Sequence, residues 1–265
     1  MSETVRYSVA AGVATITLNR PDKYNALNSE LTAALQKAFR NAAKDANVRA
    51  VILTGSGKGF CSGQDLTEFE RIRSGEISIG DHLRNGYNAL LLQMLDLPKP
   101  ILGAINGVAA GAGASLTLGC DFRLASEDAS FVFGAFVSIG LVPDTGATAL
   151  LPQIVGATRA FELLTLNNNS RRLSAEVAHS WGLVNRVTAP DQLMGKAQNI
   201  AEELAALPTR AIGLTKRALY GNLSRAIAES LEYEAQLQEI AARTADHHEG
   251  VQAFLEKRPP VFRGE

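Results

Sequence analysis

Cysteine is nearly absent from this chain. Cys61 and Cys120 are the only two in 265 residues, which excludes a disulfide framework or a cysteine-rich metal centre and suits a reducing compartment. The four histidines, His82, His179, His247 and His248, have neither His-x-x-x-His spacing nor a Cys-x-x-Cys partner, so no metal is expected. An excess of one charge is missing too. The 26 basic and 27 acidic residues leave a formal net charge of −1, and without long like-charge runs there is no electrostatic footprint for nucleic acid or an anionic membrane. No apolar run approaches the length of a membrane-spanning helix, and Met1 to Arg6 lacks the basic and apolar regions of a signal peptide, so a cytoplasmic protein is expected. Apolar residues, by contrast, make up 46% of the chain, enough at this length for one large core.

Alternating apolar runs at 6–10 and 13–19 flank Ala11-Gly12 and read as a hairpin. Leu31, Ala34, Leu35, Ala38, Phe39 and Ala42 follow at helical spacing, leading into a continuous apolar strand at 50–54. A second round gives a helix over 86–95, a break at Pro98-Lys99-Pro100, a strand at 101–105 and a small-residue helix opening near Gly111. Further strands are expected at 122–125, 131–133 and 183–187, so the first two-thirds alternates β and α as α/β folds do. From Ala189 onward the pattern is helical, with helices expected over 193–207, 209–219, 223–242 and 249–256. Their Ala, Leu and Ile faces suit an oligomer, or packing back on the same core.

Two glycine-rich segments each follow a strand. The first, Thr54 to Asp65, is not a P-loop, because Lys58 is followed by Gly59 and the spacing is short. The second, Asn106 to Ser115, is not a dinucleotide fingerprint, because Leu116 stands where the third glycine belongs. What remains is backbone N–H groups that can face a ligand, the parts of an oxyanion hole. Close packing through small residues is the alternative. Downstream, Gly140-Leu141-Val142-Pro143-Asp144-Thr145-Gly146 puts one carboxylate in apolar surroundings. Asp144 is either an acid/base whose pKa burial raises, or the N-cap of a helix over 145–154.

These segments, in this order, resemble the enoyl-CoA hydratase/isomerase (crotonase) family along essentially the whole chain. The likeness is carried by Leu18-Asn19-Arg20-Pro21 with Asn25-Ala26-Leu27, by Gly59 to Asp65, and by Asn106-Gly107 with its small-residue helix. It continues through Cys120-Asp121, Gly140 to Asp144, Leu173-Ser174-Ala175 and the tail from Glu249 to Arg258. The resemblance implies an α/β spiral of ββα turns over 1–190 with an acyl-CoA site, and a helical region over 191–265 that packs trimers, often paired into hexamers. It implies an acyl-CoA thioester ligand and no separate cofactor, coenzyme A being part of the substrate. It assigns the oxyanion hole to the N–H groups of Ser62 and Ala112, the adenine end to Lys23, Ala26 and Leu27, and the pantetheine and acyl chain to Gln64, Asp65 and Leu66. Lys257 becomes a phosphate contact from a neighbouring subunit, or is an ordinary solvated lysine.

The family's hydratases carry two glutamates that activate water. Their places here hold Ser115 and either Gly134 or Ala135, none of which moves a proton at neutral pH. The resemblance therefore favours an isomerase with Asp144 as sole acid/base, shifting a double bond or rearranging a ring epoxide to an oxepin, as in phenylacetate catabolism. A broad enoyl-CoA hydratase and a non-catalytic acyl-CoA-binding scaffold, or a subunit partnered with a hydratase, are the alternatives. Phe69, Leu90, Phe133, Phe136 and Leu141 are candidate walls of the acyl pocket.

Overall fold

In the computed structural model, β1 (Val5–Ala10) and β2 (Val13–Leu18) form the expected hairpin, paired from Val5–Leu18 to Ala10–Val13. The structure describes residues 4–265, apart from 66, 67, 69, 70, 73 and 75 and the side chains of 222–224. Helix α1 (Ser29–Lys44) begins at Asn28, whose side chain accepts the Leu31 N–H at 2.9 Å. Its buried face is Leu31, Thr32, Leu35, Ala38, Phe39 and Ala42.

The chain then winds in repeated turns. Strands β3 (Ala50–Gly55), β5 (Ile101–Ile105) and β7 (Phe122–Ser126) enter a six-stranded sheet. Each is followed by a short strand, β4 (Gly59–Cys61), β6 (Val108–Ala110) or β8 (Ser130–Val132), which enters a second, four-stranded sheet. Helix α2 closes the first turn, running through Ile79–His82, a π-helical Leu83–Asn88 and Ala89–Asp96. Helix α3 (Ala112–Leu118) closes the second. After β8 come α4 (Ala147–Val155), α5 (Ala157–Leu166), β9 (Leu173–Ser174), α6 (Ala175–Ser180) and β10 (Arg186–Thr188). The last strand starts later than expected, because the N–H groups of Leu183 and Val184 are drawn back to the Ala178 carbonyl in a turn.

Both faces of the large sheet are covered, so its parallel strands read as continuous apolar runs. Val51 and Leu53 join the main core with α1, whereas Ala50 and Ile52 point the other way. There they meet α7 (Leu193–Ala206), whose Leu193, Ala197, Ala201 and Ala205 form an i, i+4 stripe. Residues beyond 191 thus help to build the core of the same chain.

Helix α8 (Thr209–Ala241) is one helix of 33 residues where two were expected. Gly221 costs about 1 kcal/mol inside a helix, and the burial of Ile227, Leu231 and Ala235 in the core offsets it. Helix α9 (Ala245–Glu256) starts four residues before its expected position, capped by Thr244, whose hydroxyl accepts the His247 N–H at 3.0 Å. Among the described residues no helix is long and apolar enough to cross a membrane.

Candidate active site

Segments 23–26, 62–65, 108–112 and 132–144 converge on a cavity of about 590 Å³, within the usual size range for a small-molecule site. Asn25 ties the first to the stretch leading into the second. It is fully buried at φ 57, a left-handed conformation that Asn tolerates, and its amide donates to the carbonyls of Ser56 (2.9 Å) and Gly59 (2.9 Å). The backbone then locks: the Leu27 N–H donates to the Gly63 carbonyl at 2.7 Å, and the Asp65 N–H to the Leu27 carbonyl at 2.8 Å. Gly113 lets α3 lie directly on β4, since a Cβ there would come within 2.3 Å of the Cys61 carbonyl. Ser62, next to Cys61, and Ala112, next to Gly113, both line the cavity.

Asp144, 4% exposed, also lines the cavity, as do the apolar Val132, Ala135, Phe136, Ile139 and Leu141. Its Oδ1 accepts the Thr145 hydroxyl at 2.7 Å, and its Oδ2 accepts the Gln238 amide at 2.8 Å. Burial pushes its pKa from 3.8 up to about 7; the Thr145 and Gln238 hydrogen bonds pull it down, and the nearby Glu234 carboxylate adds to the rise. The group is therefore poised to take and return a proton near neutral pH. Thr145 follows at φ 57, a strained conformation for a β-branched residue costing about 1–3 kcal/mol. Asp144 does not cap the next helix. Helix α4 starts at Ala147, and the N–H groups of Gly146 (2.9 Å) and Thr148 (3.1 Å) are taken by Glu234 from α8.

The remaining expected site residues divide. Lys23, Ala26, Ser62, Gln64, Asp65 and Ala112 line the cavity. The Gln64 amide nitrogen is buried without a partner among the described residues, while Asp65 pairs with Arg20 at 2.6 Å. The Ser62 N–H departs from expectation. It donates to the carbonyl of Tyr24, itself in a left-handed conformation, at 3.0 Å. The Ala112 N–H, at the start of α3, has no partner among the described residues.

Leu27 is buried in the core and Lys257 is exposed in the left-handed cap of α9; neither lines the cavity. Leu90 and Phe133 are core residues; Leu66 and Phe69 lie outside the described residues.

The family model for enoyl-CoA hydratase/isomerase matches residues 8–265. The chain is 42% identical to the 1,2-epoxyphenylacetyl-CoA isomerase of Escherichia coli strain K12, over 100% of both chains. It belongs to the enoyl-CoA hydratase/isomerase family. A Rhodobacter capsulatus relative named "Probable enoyl-CoA hydratase" is 41% identical over 98% of each chain. The crystal structure of an enoyl-CoA hydratase from Mycobacterium avium subsp. paratuberculosis K-10 superposes with a TM-score of 0.86 at 33% identity, covering 98% of each chain.

The places expected for a hydratase's two glutamates hold no carboxylate in this family member. Ser115 is fully buried, and its hydroxyl donates to the Gly111 carbonyl at 3.3 Å rather than lining the cavity. Of the two residues left open at the second glutamate position, Ala135 lines the cavity, while Gly134 packs against the Asn167 carbonyl. Sequence reasoning missed Glu234 and Gln238, and the α9 residues Val251, Phe254 and Leu255 that close the cavity. The signal for the first pair was there: two polar residues on the same helical face as Ile227, Leu231 and Ala235.

Proposed function

We propose that this enzyme is an acyl-CoA isomerase in which Asp144 is the only acid/base. The observation that carries the reading is a buried carboxylate lining the cavity, its pKa pushed up to about 7 by burial, while both candidate positions for a hydratase's glutamates hold residues that do not titrate. Asp144 takes a proton from the α-carbon of a β,γ-unsaturated thioester, and the electrons move onto the thioester oxygen. The Ala112 N–H stabilises that oxyanion. The dienolate collapses, Asp144 returns the proton at the γ-carbon, and the double bond ends conjugated with the carbonyl. No water enters the product, so one acid/base suffices.

The same α-proton abstraction suits a ring-epoxide thioester of the kind named for the Escherichia coli relative. Lys23 and Ala26 hold the adenine end of coenzyme A, Gln64 and Asp65 flank the pantetheine, and Lys257 reaches phosphate from a neighbouring subunit of a trimer or hexamer. A 3-enoyl-CoA incubated with the enzyme should gain the ultraviolet absorbance of the conjugated thioester, and Asp144→Asn should abolish that gain. Conversion of a 2-enoyl-CoA to its 3-hydroxy product at a higher rate than isomerisation would refute the reading in favour of a hydratase.

A further inference from the structure

We propose that Glu234 and Gln238, one turn apart on α8, are positioning residues that hold the 142–148 turn in the geometry that aims Asp144 into the cavity. This rests on the reading of Asp144 as the acid/base. The two side chains are i, i+4 neighbours on one face, 1% and 0% exposed. Their hydrogen bonds bracket the strained Thr145. Ahead of it, the Gln238 Oε1 accepts the Val142 N–H at 3.1 Å, which fixes the amide so that its Nε2 faces Asp144. Behind it, Glu234 accepts the N–H groups of Gly146 and Thr148, and the Thr148 hydroxyl as well. A strained conformation persists only where its surroundings over-determine it, and these two residues of a distant helix do so from both sides.

Glu234 also frees Asp144. A carboxylate that capped α4 would have its oxygens occupied by the helix amides. Glu234 takes those amides from across the core, leaving Asp144 on the cavity wall. The pair acts on Asp144 with opposite signs: the Gln238 N–H favours the carboxylate, and the Glu234 charge favours the carboxylic acid. The other groups near Asp144 are the Thr145 hydroxyl on its own turn and the buried Tyr87 phenol from α2, with Lys23, Asp65 and Arg172 around the same cavity.

Glu234→Gln and Gln238→Leu separate positioning from mere support of the fold. Both should lower kcat for 3-enoyl-CoA isomerisation by roughly tenfold or more, with KM within about twofold, as misaimed catalytic groups do. The acidic limb of the pH–rate profile should move in opposite directions, to lower pH in Glu234→Gln and to higher pH in Gln238→Leu. Glu234→Asp keeps the charge but shortens the reach, and should lose kcat without the downward shift. Isotope-edited infrared titration of the Asp144 carboxyl reads the same opposite shifts without turnover. A carboxyl midpoint unchanged in both variants, or a loss confined to KM, overturns the proposal. Glu234→Gln, nearly isosteric, decides the case if Gln238→Leu fails to fold. Full turnover by Asp144→Asn would refute the acid/base reading, and the infrared midpoints would still decide the positioning.

Discussion

Asp144→Asn should make the protein more stable, and more so at alkaline pH. The carboxyl titrates near 3.8 when exposed and at about 7 in the fold. Below pH 3.8 both states hold the proton. Between these values the folded chain keeps it while the unfolded chain releases it, so the unfolded state binds fewer protons and stability falls as pH rises. Each pH unit costs about 1.4 kcal/mol, and the loss is complete above pH 7, at about 4 kcal/mol. Between pH 5 and pH 8 it comes to about 3 kcal/mol by the same relation.

Asparagine does not titrate, and it fits the site. Its oxygen accepts from Gln238, and its nitrogen donates to the Thr145 hydroxyl, which accepts as readily as it donates. Urea unfolding of both proteins at pH 5 and pH 8 measures the difference of differences, in which the titrating groups that do not interact with Asp144 cancel. The expected extra gain at pH 8 is about 3 kcal/mol, or roughly 6–12 °C in melting temperature for a domain of this size. In the same variant isomerisation should fall by about 10²–10⁴-fold, the usual exchange of stability for activity at a buried catalytic group. A stability change that is the same at both pH values would refute the argument, because it would mean that Asp144 is not held protonated by burial.

Ala112→Pro should leave the fold within about 1 kcal/mol, since the first helical position tolerates proline, yet lower kcat by about 10²–10³-fold through loss of the oxyanion donor; full turnover would exclude that donor. Lys216→Ala should cost about 3–5 kcal/mol in urea unfolding, because it leaves the Asp121 carboxylate, 2.8 Å from the Lys216 ammonium, without its cation inside the protein. Asn25→Ala should cost about 3 kcal/mol by removing the amide that holds the Ser56 and Gly59 carbonyls, and it should raise KM as the loop carrying Ser62 loosens. Thermal melting and steady-state kinetics check both effects.

The elements closest to expectation are those whose pattern is local. The β1–β2 hairpin, α1 and β5 were legible because their apolar spacing, their caps and the proline break before β5 act within a few residues. Helix α8 was misread at Gly221 because the energy that carries the helix through comes from burial far along it, at Ile227 and Leu231. Asp144 could be singled out but not assigned: the same Pro-Asp-Thr-Gly stretch is compatible with a helix cap and with an acid/base.

The sequence by itself determined the periodicities, the α/β alternation and the family, because these depend on spacing along the chain and on motifs read in order; the short strands β4 and β6, inside the glycine-rich segments, were not legible in it. Tertiary structure alone decided the chemistry of the site. It brought α8 across the core so that Glu234, 90 positions beyond Asp144 in the numbering, took over the capping of α4 and left Asp144 free. It turned the Tyr24 carbonyl onto the Ser62 N–H while leaving the Ala112 N–H open. A pKa is set by burial and by the charges and donors within a few ångströms, and those neighbours come from segments that only folding brings together.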